Sequence, residues 1–439
     1  MKSKLLTIFS VFCIFSTLFA ADKFSIILKT DKVDGIYKQG DSAIFNVTIL
    51  KDGKIAQGVK FTCQFSANGF WQNKKEYISD GKRVTLTRKF DAPVIWHTLR
   101  VEISGTKIVN EIGAIASPYD IKTAVEEPED FEAFWKKQRE ELNKIPVEAI
   151  EKKPYPLWAP YNKTVVCYDM KIKCLGDKPV SGYLSMPRNA KPKSLPAVVS
   201  FHGAGVRSAY AHPHIGEKMI SFNVNAHGIE NSKPDEYYKS LKLSNGKKLV
   251  NYAWHGIWDK DQCYYKNMFL RVMRALDYIK TLPEWDGKNL FVTGASQGGA
   301  QSIVAAALDK DVTFCQAGVP ALCDHNAFYA DRSPGWPKVA NLSDKSKLTS
   351  EKKCFMAVMN YYDVAHFAKR VKCEITVAAG LIDHVCSPIS VMAAYNNIPA
   401  TAKKSIQIKP AGSHGNASAG LGKRYNAVVD KAIKTNKTK

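Results

Sequence analysis

The chain has 439 residues, of which 45% are hydrophobic and 24% charged, and its formal net charge is +22. That length exceeds one ordinary domain, and the composition is that of a globular protein with a real core, which excludes a disordered chain. The excess charge comes from lysines spread along the sequence, with no arginine-rich block or aromatic platform, so it reads as a solvated surface and argues against nucleic-acid binding.

The opening MKSKLLTIFSVFCIFSTLFA has two lysines, a long apolar run and small residues at Ala20 and Ala21. This is the layout of a cleavable signal peptide over residues 1–20, so an exported protein, periplasmic or secreted, is expected. No later segment has the roughly 18 apolar residues that a membrane span needs. Ten cysteines are present, and loss of Cys13 with the leader leaves nine, an odd number. There is no CxxC pair and no Cys/His cluster at zinc spacing, so no metal site is expected. The cysteines read mostly as small buried apolar residues, with one or two disulfides among them.

Residues 21–115 read as an all-β, immunoglobulin-like sandwich. Runs at 24–29, 42–50, 59–65, 84–90 and 97–103 are rich in β-branched and aromatic residues. Turn signals such as Asp34-Gly35, Asp52-Gly53 and Asp80-Gly81 separate them. Trp71 and Trp96 have the chemistry to stack on a sugar ring, but core packing is the simpler reading. Residues 116–128 form a linker containing Ser117-Pro118 and Glu126-Glu127-Pro128, and residues 129–439 a second domain. This opens on a helix with Phe131, Phe134, Trp135 and Leu142 along one face. A proline-rich stretch follows, and then β-rich runs at 197–201, 219–224, 290–293, 314–319, 375–379 and 406–408. Helical patterns at 264–282 and 297–308 lie between them. Such alternation predicts an α/β fold, a mostly parallel sheet with helices on both faces.

Chemistry concentrates at Gly294-Ala295-Ser296-Gln297-Gly298-Gly299, where an apolar strand runs into Gly-x-Ser-x-Gly and then a small-residue helix. A serine displayed on so sharp a turn needs tiny neighbours, because strand and helix backbones approach closely there. The motif therefore reads as a nucleophile elbow with Ser296 as nucleophile. This fold supplies the acid and then the base later in the chain. Asp383 follows the run at 375–379 and His414 follows the run at 406–408, both past the carboxyl end of a strand, where open sheets bind ligands. His366 and His384 are rival bases and Asp363 a rival acid, but none holds the expected place after a late strand. An oxyanion hole would use the N–H of Gln297 and that of Ala204, which lies in the turn His202-Gly203-Ala204-Gly205 after an early strand.

Over roughly residues 126–430 the sequence resembles the acetyl xylan esterase and cephalosporin C deacetylase family of α/β-hydrolases. The resemblance rests on Pro128-Glu-Asp-Phe-Glu-Ala-Phe-Trp135, Leu282-Pro-Glu-Trp-Asp286, Gly294-Ala-Ser-Gln-Gly-Gly299, Tyr362-Asp-Val-Ala-His-Phe-Ala368 and Gly380-Leu-Ile-Asp-His-Val-Cys-Ser-Pro388. It implies the same triad of Ser296, Asp383 and His414, no metal or organic cofactor, acetylated oligosaccharide or polysaccharide as substrate, and a homo-oligomer, since family members tend to form ring-like hexamers. The chain departs from the family pattern at three places. Asn225-Ala226-His227 stands where Arg-Gly-Gln is usual, Ala204 where a tyrosine lines the pocket, and Gly415 where glutamate is common. A broader carboxylesterase, a peptidase of the same fold and an inactive carbohydrate-binding surface protein are the alternatives.

Overall fold

The computed structural model describes residues 23–92, 94–339 and 345–437, so the expected signal peptide lies outside the described residues. Two sheets, antiparallel but for one short pairing, occupy the N-terminal part. One contains Phe24–Thr30, Ser42–Lys51, Lys54–Ile55 and Val84–Lys89. The other runs Ile36–Tyr37, Val109–Ala116, Trp96–Ile103, Gln57–Ala67, Phe70–Trp71, with Lys75–Asp80 also on Gln57–Ala67. Alternation explains their stacking. Ala43, Phe45, Val47 and Ile49 of Ser42–Lys51 point inward and meet Phe61, Phe65, Leu99 and Val101 from the other sheet in one core.

All five expected strands of this region appear. The sequence reading missed Lys75–Asp80, which is largely exposed and polar, and Val109–Ala116, which carries Gly113 and three alanine or asparagine positions in place of β-branched residues.

A nine-stranded sheet organises the rest, in the order Ala149–Pro154, Val165–Ile172, Val180–Pro187, Ile220–Asn225, Leu195–Phe201, Trp285–Ala295, Phe314–Gly318, Glu374–Gly380, Lys404–Lys409. The last six are parallel and correspond to the six runs read from sequence. The first three are antiparallel additions, so the sheet is mostly parallel, as expected.

Apart from the edge strand Lys404–Lys409, the parallel strands are largely buried on both faces. Ala197, Val199, Phe201, Leu290, Val292, Cys315 and Ala317 face the main core, to which helices Phe131–Asn143, Tyr264–Thr281 and Gln297–Leu308 contribute. Val198, Phe291 and Phe314 point the other way, against Val429 and Ala432 of helix Gly422–Lys437. Among the described residues no helix is long and apolar enough to cross a membrane. All nine described cysteines are free thiols, which corrects the expectation of disulfides. Six are buried, as small apolar side chains.

Candidate active site

Ser296 sits where strand Trp285–Ala295 turns into helix Gln297–Leu308, with φ 58° and ψ −124°. A non-glycine residue rarely adopts this conformation, and it persists only where the surroundings enforce it. Here the Ser296 N–H donates to Gly318 O at 2.9 Å, and its carbonyl accepts from Ala300 and Ala321 N–H at 3.0 Å each. The flanking glycines are required by space. A Cβ on Gly294 would lie 2.4 Å from the Gly298 carbonyl carbon, and one on Gly298 would lie 2.1 Å from Phe201 O. Strand and helix thus touch backbone to backbone, and the turn between them lifts the serine hydroxyl above the sheet.

Two later strands deliver its partners. Strand Glu374–Gly380 ends just before Asp383, and strand Lys404–Lys409 ends just before the loop carrying His414. His414 Nε2 lies 3.0 Å from Ser296 Oγ, and His414 Nδ1 lies 2.8 Å from Asp383 Oδ2. Asp383 is fully buried, whereas the imidazole is 31% exposed, so the carboxylate is shielded and the ring reaches solvent. The other carboxylate oxygen, Oδ1, accepts from Val385 and Cys386 N–H at 2.9 Å each. The carboxylate therefore cannot rotate away from the ring without losing two backbone hydrogen bonds. With Nδ1–H donating to Asp383, Nε2 presents its lone pair to the serine O–H.

The three residues expected to act together are thus in one hydrogen-bonded chain, and their rivals are elsewhere. Asp363 is buried and accepts from the N–H groups of Asp324, His325 and Ala365 at 2.7–2.9 Å, capping a short helix. Burial and the nearby Asp324 push its carboxyl up to about 7. His366 is buried, with Nε2 2.7 Å from Asn360 Oδ1, and His384 pairs with Glu111 at 2.7 Å.

The turn His202-Gly203-Ala204-Gly205 lies against the elbow. A Cβ on Gly203 would be 3.7 Å from Ser296 Cβ and 3.5 Å from Ala295 O. Gln297 opens its helix, so its N–H has no partner within that helix and is free for an anion. The Gln297 side chain is held from the other side by the Tyr252 hydroxyl.

Sequence reasoning missed what fixes this turn. His202 Nε2 accepts from Ala226 N–H at 3.1 Å and Nδ1 donates to Gly203 O at 2.7 Å. Burial holds its imidazolium down to about 4, so the ring is neutral at pH 7. His227, wholly buried and held well below the ordinary histidine range by that burial, bridges Gly205 O at 3.1 Å and the Tyr264 hydroxyl at 2.8 Å. Asn223, Asn225 and Asn231 tie down the following residues through Tyr210 N–H, Arg207 O and Ala209 N–H. The departure Asn225-Ala226-His227 is thus a set of braces behind the turn. Cys386 is also close, its sulfur within 4.8 Å of ligand atoms of Asp383 and His414. Burial pushes this thiol well above the usual range, so it is a neutral neighbour of the triad.

Residues 117–426 match the model of the acetyl xylan esterase (AXE1) family. The chain is 32% identical to the acetyl esterase Axe7A of Xylanibacter ruminicola over 394 residues, which cover 87% of this chain and 84% of that protein. Among solved structures it resembles acetyl xylan esterase 1 from Thermoanaerobacterium sp. JW/SL YS485 and an acetyl xylan esterase from Paenibacillus sp. R4. Their TM-scores are 0.59 and 0.58, each at 23% identity over 72% of this chain and 97% of the other. These two likenesses bear on the fold, whereas the family match and the 32% relative bear on descent. The chain therefore belongs to the acetyl xylan esterase family and is a carboxylic ester hydrolase of the α/β-hydrolase fold.

Proposed function

We propose that this protein is an exported serine esterase that removes acetyl groups from xylan or xylo-oligosaccharides through Ser296, His414 and Asp383. The observation that carries the proposal is the continuous hydrogen-bonded chain from buried Asp383 through His414 to Ser296 Oγ. His414 Nε2 takes the serine proton as Oγ attacks the acetyl carbonyl carbon. The resulting imidazolium is stabilised by Asp383, whose Oδ1 is already committed to two backbone donors.

The tetrahedral oxyanion rests on the N–H groups of Gln297 and Ala204, the first aided by the helix start behind it. Collapse expels the sugar hydroxyl, which receives the proton from His414 and leaves an acetyl-serine. Water, deprotonated by the same histidine, then releases acetate and restores the serine. Each step needs only proton transfer and acyl transfer, so no redox group or metal is called on. Ala204 leaves the side of the pocket where the family resemblance implies a tyrosine less filled, which favours a bulky sugar alcohol beside the small acyl group.

The substrate class is tested by rates on acetylated xylo-oligosaccharides against a neutral aryl acetate and a longer-chain aryl ester. Preference for the acetylated sugars supports the proposal. Activity confined to aryl esters, or greater on long acyl chains, would remove the xylan assignment while leaving an esterase.

A further inference from the structure

The match to the family begins at residue 117, and the solved relatives are almost wholly matched within 72% of this chain. The two N-terminal sheets thus lie before the family region, yet their residues reach the loops that carry the acid and the base. On the paired strands Trp96–Ile103 and Val109–Ala116 the register sets Ile115 opposite Trp96, Gly113 opposite Thr98 and Glu111 opposite Arg100. These residues share one face, because side chains alternate along a strand. The opposite face, with Leu99, Val101, Ile112 and Ala114, fills the core between the two N-terminal sheets.

The first face is not free surface. Trp96 and Ile115 belong to the same packed core as the catalytic sheet, and both are buried. Trp96 Nε1–H and Thr98 Oγ–H both donate to the carbonyl of Leu381, at 2.9 and 3.3 Å, two residues before Asp383. Glu111 Oε2 lies 2.7 Å from His384 Nε2, one residue after Asp383. Gly113 N–H donates to Pro410 O at 2.8 Å, at the start of the loop that bears His414. The approach is close enough that a Cβ on Gly113 would lie 2.4 Å from Leu381 O. Arg100 pairs with Glu111 from behind, at 2.5 Å, and stacks over Trp71, which lies against the His384 ring.

We infer that this sheet face is the positioning element of the triad: Trp96, Thr98, Glu111 and Gly113 clamp the loops on either side of Asp383 and ahead of His414. The inference rests on Asp383 and His414 acting as proposed above. The clamp touches no reacting atom. It acts by holding the acid loop at Leu381 and His384, so that Asp383 Oδ2 stays on the line to His414 Nδ1. A shift of about 1 Å in such a group costs on the order of tenfold to a hundredfold in rate.

The test uses the full chain, with rates on a neutral aryl acetate taken per folded molecule as judged by circular dichroism and thermal midpoint. Removing both donors to Leu381 O in Trp96→Phe/Thr98→Val is expected to lower kcat on the order of tenfold or more, with KM little changed. Thr98→Ser, which keeps the hydroxyl, is expected to hold kcat near wild type. If the double variant does not fold, Thr98→Val against Thr98→Ser makes the same comparison with one donor removed. Unchanged kcat in the variants that lose a donor, even with a lowered thermal midpoint, would overturn the inference and leave these contacts merely stabilising. Ser296→Ala is measured alongside. Activity surviving in it would sink the triad itself, whereas an inactive Ser296→Ala beside a fully active clamp variant would sink the clamp alone.

Discussion

At the scale of single residues, the site is a case of one carboxylate doing two geometric tasks. Asp383 Oδ1 is pinned by Val385 and Cys386 N–H, which leaves Oδ2 to select the tautomer of His414. Asp383→Asn keeps the shape, but its amide can turn an N–H toward the ring and favour the wrong tautomer. Its kcat on an aryl acetate is expected to fall by about 10³- to 10⁴-fold with little change in KM, measured by steady-state kinetics. His202 gives a second prediction, on stability. Burial holds its folded-state pKa at about 4 against an ordinary value of 6.5, so the unfolded chain binds the proton more readily. Its neutral form therefore favours folding above pH 6.5, and that advantage is lost as pH falls from 6.5 to 4. The loss amounts to about 3 kcal/mol. Urea unfolding of wild type and His202→Gln at the two ends of that window is expected to show the smaller acid loss in the variant. Equal losses would mean that His202 is protonated in the folded protein.

Among the elements, the strand–elbow–helix unit is the part that the sequence displayed most openly. Its signal is local: an apolar strand, glycines at fixed offsets from the serine and a helix of small residues, all between Trp285 and Leu308. The glycine requirement is steric, so Gly298→Ala drives a methyl into Phe201 O and must separate strand from helix. We expect a loss of about 1–3 kcal/mol or more by urea denaturation, with activity reduced in the molecules that fold. Unchanged stability would show that the backbones do not meet as described. Other elements were hidden for physical reasons. Val180–Pro187 lies inside the sheet and is buried along nearly its whole length, so it has no alternation to read. Val109–Ala116 carries Gly113 in its middle, where a Cβ would collide with Leu381 O and the N–H donates to Pro410 O, so a tertiary contact lowers its strand propensity. The braces behind the oxyanion turn were equally invisible. His202, His227, Asn223, Asn225 and Asn231 act through hydrogen bonds across neighbouring strands and loops, and no sequence spacing encodes those contacts. Ser296, Asp383 and His414, which the structure brings into one hydrogen-bonded chain, could be put forward as candidates because the order of strands in this fold gives a place to each.

For the whole molecule, a net charge of +22 on a chain with lysines throughout creates a broad positive field instead of a single binding patch. Such a field draws in a polyanion and is screened by salt. Raising ionic strength from about 0.1 to 1 M shortens the Debye length from ~10 to ~3 Å. We expect kcat/KM on glucuronate-bearing acetylated xylan to fall over that range, while kcat/KM on a neutral aryl acetate stays level. Equal salt response for both substrates would show that the charge plays no part in capturing the polymer. The same large scale bears on architecture. The N-terminal sheets share a core with the hydrolase through Trp96 and Ile115, and they touch the acid and base loops directly. Residues 21–115 and 129–439, read from the sequence as two domains, are joined by this shared core and by these hydrogen bonds.

The claim on which the rest depends is that Ser296 carries acetyl transfer from an acetylated xylan sugar. It is tested most directly by acetate release from acetylated xylo-oligosaccharides, with wild type and Ser296→Ala assayed side by side at matched, folded concentration. Steady release by wild type and none above background in Ser296→Ala is expected. Release that persists in the variant would contradict the nucleophile assignment, and no release by wild type would contradict the substrate.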